Sequence, residues 1–194
     1  MKIDLDQYGI LEGINETIIT TISLDGRFNA APIGIIRRDG KLMVRIYTES
    51  HTCTNIQDTG LLAANMVDDP LLYVQSALAD LDDPMFETVT IDKYGVFPIL
   101  NKTSAWIIFK ANYEKGSKTI QAELNPITGK IKRTGITTIN RGFFAVIEAT
   151  IHATRYIVFK DEKYLRKMKT CKYIIDKCGG TREKEAYELI IQLL

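Results

Sequence analysis

The stretch "NETIITTISLDGRFNAAPIGIIRRDGKLMVRIY", residues 15–47, holds three runs rich in Ile, Thr and Val, parted by two Asp-Gly pairs. β-Branched side chains suit a pleated, half-buried surface. Asp-Gly supplies residues that accept the left-handed backbone of a tight hairpin turn. The pattern predicts an antiparallel meander with strands at 15–23, 29–38 and 41–47. The middle run opens "NAAPIG", residues 29–34. Pro32 cannot donate to a sheet ladder, which places it at an edge or a bulge. Ala30, Ala31 and Gly34 are small, so a flat ring could lie close to the main chain there. A plain edge strand with a bulge explains the same residues.

The next segment, "TESHTCTNIQDTG" (residues 48–60), has four threonines, a serine, a histidine, a cysteine and an asparagine, and no Lys or Arg. Ser50 reads as the N-cap of a short helix over 51–58, and Gly60 as its stop. A helix start leaves N–H groups without internal partners and carries partial positive charge. Together these favour an anion such as phosphate. Short hydroxyls on Ser50, Thr52 and Thr54 add donors, while a capping role alone explains Ser50. Arg45 lies upstream, and strand alternation puts it on one face with Tyr47. Cys53 sits where a helix start would lower a thiol pKa.

Downstream, 61–67 reads as a buried strand, broken by Asp68-Asp69-Pro70, and 71–81 has helical spacing. The acidic stretch 80–92, interrupted by Pro84, reads as an exposed loop. Residues 105–116 and 119–124 read as strands, with "NPITG" (125–129) as a turn and "KIKR" pairing back. From Arg141 the period becomes helical. Phe144, Ile147, Ile151 and Val158 form one stripe, and Glu148, His152 and Arg155 form a polar one, read as a solvated or salt-bridged face. Residues 161–178 form a basic amphipathic helix with Tyr164, Leu165, Met168, Cys171 and Ile175 inward, stopped by Gly179-Gly180. Thr181 reads as the N-cap of the last helix, which puts Lys184 at its third position and leaves no reciprocal capping box. The fold class is therefore α+β: a mainly antiparallel β-barrel domain over 1–135, and a helical C-terminal subdomain over 136–194 packed on the barrel.

Composition narrows the function. The chain has 194 residues, 45% of them hydrophobic, and a net charge of +1. That charge gives no global drive towards nucleic acid or membrane, and the basic helix at 160–177 reads as a solvated face. Three cysteines without a CxxC, and two histidines, argue against a disulfide framework and a metal site. The N-terminus has acids where a signal peptide would be apolar. No apolar run approaches the ~18 residues that span a bilayer. A cytoplasmic location is expected.

"NAAPIG", a hairpin, and then "YTESHTCTNIQDTGLLAANMVDDP" (residues 47–70) resemble the FMN-binding split β-barrel proteins, the flavin reductase-like and flavoredoxin-like group. His51-Thr52, Asn55-Ile56, Thr59-Gly60 and Asn65 stand at the matching positions. The likeness is close over 14–70 and loose to 125. With "NRGFFAVIEATIHATR" (140–155) included, the chain is more similar to an archaeal family of conserved FMN-binding proteins with no assigned activity. The resemblance implies FMN as cofactor. It puts Ser50, Thr52, Thr54 and Asn55, with Cys53 in the same turn, near the phosphate or ribityl chain. Ala31, Pro32, Ile33 and Gly34 would lie along the ring, with Tyr47 and Thr48 between. Flavin reductases often carry a Lys or Arg in the phosphate loop, which this chain lacks. Arg45 is the substitute, or a residue of another segment such as Arg141 acting across a homodimer, or in part His51. The function implied is an oxidoreductase passing electrons to or from a small molecule, with NAD(P)H binding transiently. The alternative is a module that stores or senses FMN without turnover. Trp106 and Tyr113 read as core aromatics rather than flavin stackers. No residue stands out as a catalytic acid or base.

Overall fold

β1 (Gly13–Ile22), β2 (Phe28–Arg38) and β3 (Lys41–Tyr47) form the meander expected from their composition. In the computed structural model, which describes residues 3–114, 116, 118–135 and 137–194, Thr17 faces Ile33 and Ile19 faces Ala31. Ile35 faces Val44. The β2–β3 turn holds Asp39 and Gly40 at φ 52° and 74°, the left-handed pair that a two-residue hairpin requires. α1 (His51–Thr59) follows, closed by Gly60 at φ 70°, whose N–H donates to Ile56 O at 2.8 Å. β4 (Leu61–Met66) and α2 (Pro70–Leu78) come next. Then come β5 (Phe86–Ile91), β6 (Gly95–Leu100), β7 (Ala105–Glu114) and β8 (Thr119–Ile131). α3 (Arg141–Phe159), α4 (Lys163–Cys178) and α5 (Thr181–Gln192) end the chain.

Six antiparallel strands close a barrel in the order β1-β2-β3-β8-β7-β4. Alternate residues of each strand fill it: Ile19, Ile35, Val44, Ile46, Leu62, Ile107, Phe109 and Ile120 among them. Cys53 and Ile56 of α1 join this core, so α1 is anchored in the barrel interior. β5 and β6 form a separate hairpin that covers the outside. Its Ile91, Phe97 and Ile99 pack with Leu61 and Ala63 of β4 and Trp106 and Ile108 of β7. β4 is apolar but for Asn65 because it is buried on both faces. Asn65 is fully buried within it. Its Nδ2 donates to Ile18 O at 2.9 Å and Thr20 Oγ1 at 3.1 Å, and its Oδ1 accepts from Leu100 N at 2.8 Å.

Two expectations fail here. Residues 86–91 are a strand, not a loop, since only one of their faces is apolar and buried. "NPITG" is no turn but part of β8. β8 meets β3 only over Thr119–Glu123, so Pro126 stands on a stretch partnered by β7 alone, beside a register shift at Ile108/Phe109. A missing N–H is harmless on such an edge.

The chain divides into two compact units, the second comprising Asp69–Asp80 and Gly135–Leu194. α2 thus groups with the C-terminal helices, through Val74, although the sequence reading placed it in the first domain. Ala145, Val146, Ala149 and Ala153 of α3 pack with Met168, Cys171 and Ile175 of α4 and Ala186, Tyr187 and Ile190 of α5. The inward face of α4 is as expected. That of α3 is rotated: Phe144 and Val158 are exposed, and the small residues are buried. A Cβ on Gly142 would lie 2.4 Å from Gly179 Cα, so small residues set the closeness of these elements. His152 is buried too, not on a solvated stripe, and its Nδ1 has no partner among the described residues. α5 is capped by Gly180 rather than by Thr181, one residue earlier than expected. Glu183 is its third residue and accepts from Gly180 N at 2.7 Å and Asn140 Nδ2 at 3.0 Å. Lys115 and Ile136, at the ends of expected segments, lie outside the described residues, as do Met1 and Lys2. No helix among the described residues is long and apolar enough to cross a membrane.

Candidate functional site

β2 is paired with β1 along its whole length from Phe28, yet β3 joins it only from Ile35 to Arg38. Beyond that point β3 turns to β8, where Arg45 faces Gln121 and Tyr47 faces Thr119. Residues 28–34 are therefore single-partnered, and all seven are only half-buried. Pro32 lies in this stretch, an edge in the sense the sequence suggested, though β2 is not an outer strand. An unbroken ladder to β1 needs Pro32's backbone turned to the open side, and alternation turns Ala30 and Gly34 the same way. Ala31 and Ile33 take the opposite side-chain face, and Ile33 packs on the barrel core. Gly34 is small for a local reason as well: a Cβ there would lie 2.6 Å from Ile14 Cγ2.

α1 begins just past the end of β3. The hydroxyls of its start have separate fates. Ser50 caps the helix, accepting from Cys53 N at 3.1 Å and donating to Tyr47 O at 2.8 Å. Thr48 donates both its N–H and its hydroxyl to Lys118 O, at 3.1 and 3.2 Å. The O–H groups of Ser50 and Thr48 are thus spent on the backbone. Thr52 is 2% exposed, and its Oγ1 accepts from Asn29 Nδ2 at 3.0 Å. Its own hydrogen has no acceptor among the described residues. Thr54 is exposed. Asn55 is buried, its amide committed to Thr21 Oγ1 at 3.0 Å. Among the described residues, the backbone N–H groups of His51 and Thr52 have no acceptor either, and no acid stands in the first turn.

Cys53 corrects the sequence reading of its thiol. Its side chain is wholly buried in the barrel core, and burial pushes the thiol pKa up rather than down. The favourable field of the helix start is outweighed by desolvation of the thiolate.

Two cations stand on the chain segments that lead to this helix start, Arg45 on β3 and Lys118 just before β8. Arg45 and Tyr47 share the outer face of β3, as alternation required, and both are exposed. Arg45 Nε donates to Thr119 Oγ1 at 3.3 Å. Lys118, exposed, is the residue the sequence reading missed. Its carbonyl accepts from Thr48, 70 residues away in sequence, so its side chain springs from beside the turn that opens α1. Among the described residues neither Arg45 nor Lys118 makes an ion pair, a state they share with other exposed cations of the unit such as Lys41 and Lys110. Arg141 is the exposed first residue of α3, in the second unit. Trp106 and Tyr113 pack on the two apolar clusters of the barrel unit.

The chain is similar to known proteins in sequence and in fold. The model described as the N-terminal domain of a protein of unknown function (DUF447) covers residues 15–133. A second, described as protein of unknown function (DUF447), covers residues 140–192. The uncharacterized protein MJ1453 of Methanocaldococcus jannaschii is 26% identical over 198 residues, 93% of this chain and 98% of that protein. The crystal structure of FMN-bound protein MM1853 from Methanosarcina mazei, assigned to DUF447, is 38% identical, with TM-score 0.92 over 98% of this chain and all of that one. A crystal structure of an FMN-binding protein from Thermus thermophilus with bound 1-cyclohex-2-enone is 12% identical, with TM-score 0.51 over 68% of this chain and 78% of that one. That last likeness speaks for the fold alone.

Proposed function

The chain belongs to the DUF447 family, and from that premise we propose that it is an FMN-binding flavoprotein whose barrel unit carries the cofactor. The observation that carries the reading is the helix start of α1. Among the described residues it combines N–H groups at His51 and Thr52 without an acceptor and an unspent Thr52 hydroxyl, with Arg45 and Lys118 on the adjoining segments. The 38% identical FMN-bound relative supports the choice of anion. These groups suit a phosphomonoester: N–H donors at a positive helix end, with charge beside them. The single-partnered stretch Ala30–Gly34 suits a flat ring, since it offers backbone donors and acceptors with little side-chain bulk.

In this reading the phosphate meets His51 N–H, Thr52, Thr54, and the charges of Lys118 and Arg45. Ala31, Pro32, Ile33 and Gly34 form the wall along the ring, with Tyr47 and Thr48 at the join. Ser50, Cys53 and Asn55 shape the site from within: one caps the helix, and two anchor it. FMN, when bound, supplies hydride and electron transfer, which the protein's residues orient rather than perform. The reaction proposed is of flavin reductase type, with a small-molecule donor or acceptor, transient NAD(P)H among them. A cytoplasmic homodimer is the proposed working form, with Arg141 of a second copy as a further cation to test.

The protein purified from an expressing cell is expected to be yellow, or to take up added FMN. Anaerobic addition of NADH or NADPH should bleach the bound flavin. Binding without bleaching by either nucleotide would replace the reductase with the storage or sensing module. A colourless protein that takes up no FMN would end both readings.

A further inference from the structure

Asn29 opens the "NAAPIG" stretch but is none of the site residues expected from the sequence, yet its side chain joins β2 to the start of α1. It lies on β2 opposite Thr21. Its Nδ2 donates to Thr52 Oγ1 at 3.0 Å and to Thr21 Oγ1 at 3.4 Å. Asn55 Nδ2 donates to the same Thr21 oxygen at 3.0 Å. Thr21, Thr52 and Asn55 are 0, 2 and 4% exposed. This is a buried polar clamp across β1, β2 and α1, and every oxygen in it that accepts belongs to a threonine hydroxyl.

A hydroxyl has one hydrogen to give and two lone pairs. With one lone pair of Thr52 fixed on the Asn29 amide, the O–H rotor must point away from Asn29. No described residue receives it. The neighbouring N–H groups of His51 and Thr52 are likewise unspent, so the clamp leaves donors together at one helix end.

Resting on the reading that the barrel binds FMN, we propose that Asn29 is a positioning residue for the phosphomonoester. It holds Thr52 Oγ1 as an acceptor, commits the hydroxyl hydrogen to a phosphate oxygen, and so sets the preference for phosphorylated over unphosphorylated flavin. Asn29 acts through Thr52.

The test compares FMN and riboflavin dissociation constants, read from flavin fluorescence, in the wild-type chain, Asn29→Ala, Thr52→Val and the double variant. Asn29→Ala is expected to weaken FMN about tenfold, the scale of one charge-assisted hydrogen bond, and to leave riboflavin within about twofold. In the Thr52→Val background, Asn29→Ala should then cost FMN nothing more. Asn29→Asp, of the same shape, covers the case in which the alanine variant fails to fold. Its carboxylate only accepts, so it takes the Thr52 hydrogen, and FMN should weaken more than in Asn29→Ala while riboflavin holds. Equal losses for both flavins would overturn the proposal by making Asn29 merely structural. Additive losses in the double variant, or unchanged FMN binding in Asn29→Asp, would overturn it as well. A wild-type chain that binds neither flavin is a different outcome, which refutes the FMN reading itself.

Discussion

The starts of α1 and α5 solve one problem in opposite ways. Each begins with N–H groups that lack partners in the helix. At α5 the chain supplies its own anion: the buried Glu183 carboxylate takes Gly180 N at 2.7 Å and the Asn140 amide at 3.0 Å. At α1 it supplies none. Ser50 covers one N–H, at Cys53, while those of His51 and Thr52 have no acceptor among the described residues. A helix start that carries its own acid is structural. One that carries none is a place for a ligand's anion. The contrast separates the two meanings of a Ser/Thr-rich helix start that composition alone leaves joined.

Removing the charges should do most damage. Arg45→Ala with Lys118→Ala is expected to weaken FMN binding by about 2–4 kcal/mol, read by calorimetric titration, with the melting temperature unmoved. An unchanged affinity would leave the bare helix end as the sole anion holder. Glu183→Ala attacks the other side of the comparison. It strips the acceptor from two buried donors, and should cost the fold about 2 kcal/mol in denaturant titration while FMN affinity stays. His51→Glu makes α1 resemble α5. An acid in the first turn should stabilise the chain without flavin by about 0.3–1 kcal/mol and weaken FMN about tenfold through repulsion. A variant that gained both stability and affinity would break the comparison.

Much of the barrel was legible in the sequence. β1, β2 and β3 announced themselves because each turn carries its own Asp-Gly signal and β3 alternates cleanly. The 80–92 stretch misled because β5 turns its acids and threonines outward and buries little beyond Ile91. "NPITG" misled because Pro126 marks a half-open edge, which local composition cannot tell from a turn. In α3 side-chain size misled: Ala145, Ala149 and Ala153 permit close packing, while the larger Phe144 and Val158 remain outside.

The site was legible in outline only. Ser50 and Gly60 bracket α1 locally, and so could be read. The partners that decide which hydroxyls are free are remote: Asn29 lies 23 residues from Thr52, and Lys118 lies 70 from Thr48. No periodicity joins such positions. His152 was misread for a like reason, since the stripe it was assigned to faces inward at that residue.

His152 also gives the smallest effect expected. Burial holds its imidazole below the ordinary value, with Lys167 and Arg155 adding to this and Glu148 opposing it. A lowered pKa makes the folded chain prefer the neutral ring. That stability is present above the unfolded value near 6.5 and is lost as pH falls through it. The loss should be seen as a shallower decline of melting temperature with falling pH in His152→Gln than in the wild type. FMN affinity should not follow it.

The central claim is that the unfinished start of α1 holds a phosphate. Its most direct measurement is the calorimetric titration of FMN and of riboflavin into the flavin-free wild-type chain at pH 7. FMN should bind at least about tenfold more tightly, because only FMN can complete the helix start. Equal affinity for the two flavins would contradict the account.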